Sequence, residues 1–167
     1  NHWTFLIDGT SRSAIEAALV SMVEKGDKVL IPVFGRFGHL LTEISERVGA
    51  TVIPIHKDWG EIFSEEEIAD ALDQHKPSIL AICQGDTSTT MNQPLDYVGR
   101  LCRERGVISY VDATASLVGN PLPVDEYQID ICTVGLQKCL GGPSGSAPVT
   151  MTDEVADRIK RRWHVEK

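Results

Sequence analysis

No apolar run in the sequence approaches the roughly 20 residues that a membrane-spanning helix needs, so no membrane segment is expected. The opening "NHWTFLIDGTS" lacks the basic region and cleavage site of a secretory signal, and a cytoplasmic protein is expected. Positive charge is scarce: 16 Lys and Arg face 24 Asp and Glu, for a formal net charge of −8. That balance disfavours nucleic acid and anionic membranes as partners. Cysteine is sparse too. Cys83, Cys102, Cys132 and Cys139 form no CxxC pair and no metal-ligand spacing, so no metal site is expected. Three of the four sit in or beside apolar runs, which reads as free, mostly buried thiols in a reducing compartment. There is no internal repeat, low-complexity tract or linker, and residues 1–167 read as one domain with enough chain for a sizeable core.

What the sequence does have is a regular alternation of short β-branched runs and helical patterns. The strand candidates are "TFLI" (4–7), "KVLIPV" (28–33), "TVIPI" (51–55), "SILAIC" (78–83), "VISYV" (107–111), "DICTV" (130–134) and "APVTM" (147–151). They are continuously apolar rather than alternating, as strands covered on both faces are. "SAIEAALVSMVEKG" puts Ala14, Ile15, Ala18, Leu19, Met22 and Val23 on one helical stripe, with a Ser13/Glu16 capping box and a terminal Gly26. "SEEEIADALDQH" repeats the box at Ser64/Glu67, and "PLDYVGRLCRERG" reads as a helix with Pro94 in its first turn. A last helix starts near Asp153 and ends in the basic, aromatic "KRRWH", which reads as a solvated helix end. The implied fold class is α/β: a mostly parallel seven-stranded sheet with helices on both faces. Only a short glycine-rich turn joins "DICTV" to "APVTM", too short for a parallel crossover, so the last strand is expected to be antiparallel.

In open α/β sheets ligands bind beyond the carboxyl ends of the strands. The residues just past each strand are therefore informative. After "TFLI" comes "DGTSRS", where Gly9 permits a tight turn, Thr10 and Ser11 carry hydroxyls, and Arg12 offers a fork of donors at a helix N-terminus. The stretch reads as an anion cradle or, equally, as a plain capping turn. It is neither a Walker A sequence nor a G-x-G-x-x-G. Asp112 ends a buried run, where an unpaired carboxylate is costly, and either caps the next turn or meets a ligand. Lys138, in "GLQKCLGG", taken by itself reads as a solvated surface lysine near a turn. Taken together, a cradle, a buried carboxylate and a lysine at three strand ends are the parts that pyridoxal 5′-phosphate requires.

The chain resembles the large domain of fold-type I pyridoxal-phosphate enzymes, in the class V aminotransferase group. The carriers are "DGTSRSAIEAAL", "GDKVLIPVFGRFG", "GDTSTTMNQPLD", "YVDATASLVGNPLPVDEYQIDI" and "GLQKCLGGPSGS". The resemblance implies that Lys138 carries the cofactor covalently and serves as acid and base, and that Asp112 pairs with the pyridine nitrogen. It implies that Thr10, Ser11, Arg12 and Gln137 contact the phosphate, that Phe37 stacks on the ring, and that Thr87 lies near it. Related desulfurases usually have histidine where Gln137 and Phe37 stand here. The substrates implied are an amino-acid-like donor and a small 2-oxo acid, glyoxylate above all. "GTSR" before an "AIEAAL"-type helix is similar to the branch that uses ureidoglycine in purine catabolism, with alanine– or serine–glyoxylate (or pyruvate) transfer as the alternative. Members also imply a homodimer, with residues near "FGRFGHLL" as interface candidates. They carry an N-terminal segment and a C-terminal small domain, so this chain is expected to be a large domain that is inactive alone. A cofactor-free α/β binding module is the reading from a different class.

Overall fold

A computed structural model describes residues 1–162. Fourteen elements run in chain order: β1 (Trp3–Asp8), α1 (Ser11–Met22), β2 (Lys28–Val33), α2 (Arg36–Arg47), β3 (Thr51–His56), α3 (Glu65–His75), β4 (Ile79–Cys83), β5 (Gly85–Asp86), β6 (Met91–Asn92), α4 (Val98–Glu104), β7 (Ile108–Asp112), β8 (Ile131–Thr133), β9 (Ser146–Met151) and α5 (Asp153–Lys160). Seven strands form one sheet in the order β1-β9-β8-β7-β4-β2-β3, while β5 and β6 make a separate two-stranded ribbon. β9 runs antiparallel to both its neighbours, and the pairs β8–β7, β7–β4, β4–β2 and β2–β3 are parallel. The architecture is the expected one, and its last strand is antiparallel.

Strand alternation builds the core on both faces of the sheet. Val29 and Ile31 point towards α1, α2 and α5, where they pack in a cluster with Ile15, Leu19, Leu41 and Val155. Leu30, between them, faces α3 and α4 and packs in a second cluster with Ile68, Leu72, Val98 and Leu101. The two faces need apolar residues at every position of the central strands, which is why β4 and β8 are buried throughout.

The edges depart from that rule. β1 pairs only with β9, and Trp3, Phe5 and Leu6 remain 38%, 46% and 64% exposed. Its apolar run does not report burial on both faces. β3, the opposite edge, has Val52, Ile53 and Ile55 half-buried and Thr51, Pro54 and His56 exposed. Of the expected capping boxes, the one on α3 forms: Glu67 N–H donates to Ser64 Oγ, and Ser64 N–H donates to Glu67 Oε2. The Ser13/Glu16 box on α1 does not form. Thr10 is the N-cap, its hydroxyl accepting from Ser13 N–H, so the helix starts a turn earlier. It also ends at Met22, because Val23 is already extended and Gly26 (φ 92°) turns the chain towards β2. α4 begins at Val98 rather than near Pro94. Gln93 holds the preceding segment out of helix by bonding both the N–H and the C=O of Phe63, each at 2.9 Å. α2 and the β5–β6 ribbon add to the elements read from the sequence. The basic end "KRRWH" runs past Arg162, so Trp163 and His164 lie outside the described residues.

Among the described residues no helix is long and apolar enough to cross a membrane, and no cluster of His, Cys, Asp and Glu has metal-binding geometry. Cys83, Cys102 and Cys132 are buried free thiols, and Cys139 is exposed.

Candidate functional site

The parallel strands deliver their carboxyl ends to one edge of the sheet, and a cavity of about 190 Å³ lies there. Its wall contains Thr10, Ser11, Arg12, Phe37, Thr87, Asp112, Gln137 and Lys138. All eight residues singled out in the sequence therefore meet around one space, although they come from five separate stretches of chain. Gly85, Thr114 and Ala115 complete the lining.

Asp112 sits at the centre of the sheet because β7 does. Its register partners are Cys83 on β4 and Thr133 on β8. The residue is 1% exposed, and Thr114 N–H donates to its Oδ1 at 2.9 Å. No hydrogen bond to Oδ2 is formed among the described residues, which leaves that oxygen for a donor from the cavity. Burial holds the Asp112 carboxyl above the ordinary carboxylate range, and the neighbouring Asp86 carboxylate adds to the rise. Thr114 opposes both through its N–H and through a nearby hydroxyl that itself makes no well-aligned bond. A buried carboxylate with an unmet oxygen calls for a cationic donor.

The cradle is built where α1 begins. Thr10 Oγ1 accepts Ser13 N–H and Thr10 C=O accepts Ala14 N–H, so the N–H groups of Ser11 and Arg12 remain for an anion. Gly9 has φ 149°, and its N–H donates to Gly145 C=O at 2.8 Å, tying the cradle to the loop that carries Lys138. A second tie is steric. A Cβ on Gly135 would overlap Ser11 Oγ and stand 2.9 Å from Thr114 Cγ2, so any larger residue there would push these side chains out of place.

Lys138 is held by its neighbours rather than by its own side chain. Gln137 Nε2 reaches Ser11 Oγ at 3.5 Å on one side, and Cys139 Sγ donates to Ala115 C=O at 3.1 Å on the other. Gly141 N–H closes the turn onto Lys138 C=O at 2.9 Å. The lysine is exposed at the cavity rim, not buried, so whatever desolvates it must come from a bound group or from further chain. Phe37 is half-buried in the first turn of α2, and Thr87 lies in the turn just past β5.

Sequence reasoning missed three contributors. Thr114, two residues beyond Asp112, could have been found as a small polar residue in the turn after a strand. Cys139 and Asp86 gave no such signal, because the partners they bind, Ala115 and the start of α2, are far away in sequence. Taken together the lining fits pyridoxal phosphate: N–H groups, hydroxyls and a guanidinium for a phosphate, an unmet buried carboxylate for a protonated ring nitrogen, and a lysine for an aldehyde.

Comparison with known proteins agrees with this chemistry. A family model described as "Aminotransferase class-V" matches residues 2–164. The (S)-ureidoglycine–glyoxylate transaminase of Bacillus subtilis is 47% identical over 167 residues, 100% of this chain and 40% of that protein. The alanine–glyoxylate aminotransferase of Felis catus is 39% identical over 162 residues, 97% of this chain and 39% of that protein. The crystal structure of the ureidoglycine–glyoxylate aminotransferase from Bacillus subtilis superposes with a TM-score of 0.96 at 47% identity, covering 98% of this chain and 42% of that one. The chain thus spans about two fifths of the length of the relatives it matches.

Proposed function

The chain belongs to the class-V aminotransferase family, whose members depend on pyridoxal phosphate, and from that premise we propose that it is the cofactor-binding domain of a glyoxylate aminotransferase with ureidoglycine as the amino donor. The observation that carries the reading is the single cavity walled by Thr10, Ser11, Arg12, Phe37, Thr87, Asp112, Gln137 and Lys138.

When bound, pyridoxal phosphate supplies an electron-withdrawing ring that stabilises negative charge at the substrate's Cα. The protein's own residues do the rest. The N–H groups of Ser11 and Arg12, with the Thr10 and Ser11 hydroxyls, Arg12 and Gln137, hold the phosphate at the positive end of α1. Asp112 would accept a charge-assisted hydrogen bond from the protonated ring nitrogen and so hold the proton on that nitrogen. Phe37 and Thr87, both in the cavity wall, would cover one face of the ring and offer a hydroxyl near it. Lys138 Nζ would anchor the cofactor's aldehyde and, once freed by a donor amine, would serve as the base for the proton on the substrate's Cα.

The 47% identity to a ureidoglycine–glyoxylate transaminase, against 39% to an alanine–glyoxylate aminotransferase, favours the purine-catabolic donor. Glyoxylate as acceptor is common to both names. The test is a single-turnover assay on the full-length protein, following the cofactor's visible band as each donor amine is added. Rapid conversion by freshly generated ureidoglycine is expected. Conversion by L-alanine or L-serine, with none by ureidoglycine, moves the protein to the alternative.

The reading extends to a cytoplasmic homodimer. A second cavity of about 410 Å³ adjoins the first, sharing Ser11, Arg12, Phe37 and Thr114, and reaches His39 and the 68%-exposed Trp59. Of the "FGRFGHLL" residues, Phe34, Gly38 and Leu41 are buried within the chain. Arg36, His39 and Leu40 are the ones available to a second subunit. Light scattering of the full-length protein at micromolar concentration is expected to give a dimer; a monomer alone contradicts this part.

A further inference from the structure

The N-terminus of α2 has no cap of its own. Its N-cap residue is Gly35, which has no side chain to offer. The first turn is satisfied from another part of the chain instead. Asp86 Oδ2 accepts Phe37 N–H at 2.9 Å, and Ser88 Oγ accepts Arg36 N–H at 2.9 Å. The two capping residues are themselves joined, since Asp86 Oδ1 accepts Ser88 N–H at 2.9 Å and the Ser88 hydroxyl at 2.6 Å. Asp86 is 1% exposed, with three donors on its carboxylate. The approach is tight: a Cβ on Gly35 would overlap the Asp86 carboxyl group.

This arrangement does more than finish a helix. Phe37, which receives the carboxylate on its N–H, and Thr87, which sits between the two capping residues, both line the cavity that holds Asp112 and Lys138. A cap supplied locally would hold the helix end and leave the 86–88 turn free. A cap supplied by Asp86 and Ser88 makes the turn and the helix end one piece.

We propose that Asp86 and Ser88 are positioning residues for the cofactor, locking Phe37 and Thr87 into a single rigid wall against its ring. The proposal rests on the cavity being the pyridoxal-phosphate site. Neither residue touches the reacting atoms; each acts through the backbone it holds.

The test uses the full-length protein with Asp86→Ala, Ser88→Ala and Phe37→Ala, together with Asp86→Ala/Phe37→Ala and Asp86→Ala/Gly35→Ser. Three quantities are read: thermal stability, affinity for pyridoxal phosphate, and the circular dichroism of the bound cofactor's visible band. Asp86→Ala is expected to weaken cofactor binding about tenfold and to remove most of the visible dichroism, with Ser88→Ala in the same direction and smaller. Added to Phe37→Ala, Asp86→Ala is expected to cost less than its own tenfold, because part of its effect acts through that ring. Losses that multiply in full overturn the proposal. The Gly35→Ser substitution separates positioning from capping. Without the carboxylate there is room for the introduced hydroxymethyl group to cap α2 locally, so stability is expected to return while the dichroism does not. Return of both reduces Asp86 to an ordinary cap and overturns the proposal. Wild-type protein that binds no pyridoxal phosphate breaks the underlying reading of the cavity instead, and is distinguishable from either result.

Discussion

Two helices begin beside the same cavity, and they are finished in different ways. α1 is capped from within, by the Thr10 hydroxyl one residue ahead of its first turn, and the N–H groups of Ser11 and Arg12 stay open. α2 is capped from outside, by Asp86 and Ser88, which take up the N–H groups of Phe37 and Arg36. The positive end of α1 is therefore left for a ligand's anion, while that of α2 already faces a carboxylate. The difference favours α1 as the home of the phosphate. It leaves α2 to present a ring, not a charge.

The strongest way to probe this division is at the residue between the two helices. Asp112→Asn in the full-length protein removes the carboxylate proposed to keep a ring nitrogen protonated. Turnover is expected to fall on the order of 10²–10³-fold, while affinity for inorganic phosphate at the α1 cradle stays near wild type. A parallel loss of phosphate binding would mean that the cradle and the carboxylate are not separate devices.

Gly135→Ala acts first on the α1 side. Its Cβ would overlap Ser11 Oγ and press on Thr114 Cγ2 at 2.9 Å, so those side chains in the cradle must move. A destabilisation of about 1–3 kcal/mol is expected in chemical denaturation, accompanied by weaker phosphate binding. Unchanged phosphate affinity would show that the cradle tolerates the displacement.

The third probe is pH. The Asp112 carboxyl is held above its ordinary value of 3.8 mainly by burial, with the neighbouring Asp86 adding to the rise. Between 3.8 and that raised value the folded apo-protein binds more protons than the unfolded chain, so stability falls as pH rises through this window. Asp112→Asn lacks the group, and its melting temperature is expected to gain on apo wild type as the pH climbs. Pyridoxal phosphate should reduce the gap by supplying a cation. A constant difference between the two proteins across the window would contradict the assignment.

The smallest effect is a control. Ser64→Ala removes a local cap on α3, none of whose residues lines the cavity, and is expected to cost about 1 kcal/mol of stability with no change in cofactor binding.

The same contrast explains what could be read before the structure. The seven strands were legible because central strands buried on two faces need unbroken runs such as "KVLIPV" and "SILAIC", and the antiparallel last strand because "GLQKCLGGPSG" is too short for a crossover. The cradle was legible because Gly9, Thr10, Ser11 and Arg12 are contiguous. Asp86 and Ser88 were not, because a cap supplied across some fifty residues leaves no spacing signature. The Ser13/Glu16 box went wrong for a related reason: the pattern was present, but Thr10 offered a cap one turn earlier. β1 shows the limit of the apolar-run argument, since an edge strand can be as apolar as a central one and still stand exposed. Lys138 was singled out by its company at the strand ends rather than by its surroundings, and its exposure at the rim is what a lone lysine near a turn leads one to expect.

The most direct test of the account is chemical. Full-length protein loaded with pyridoxal phosphate is reduced with borohydride, digested, and mapped for the pyridoxyl label. The account predicts label on Lys138, at the rim of the cavity that Asp112 and the α1 cradle share. Label on Lys57, which is paired with Glu67 at 2.5 Å, or on Lys76 at the end of α3, with Lys138 unmodified, would contradict it.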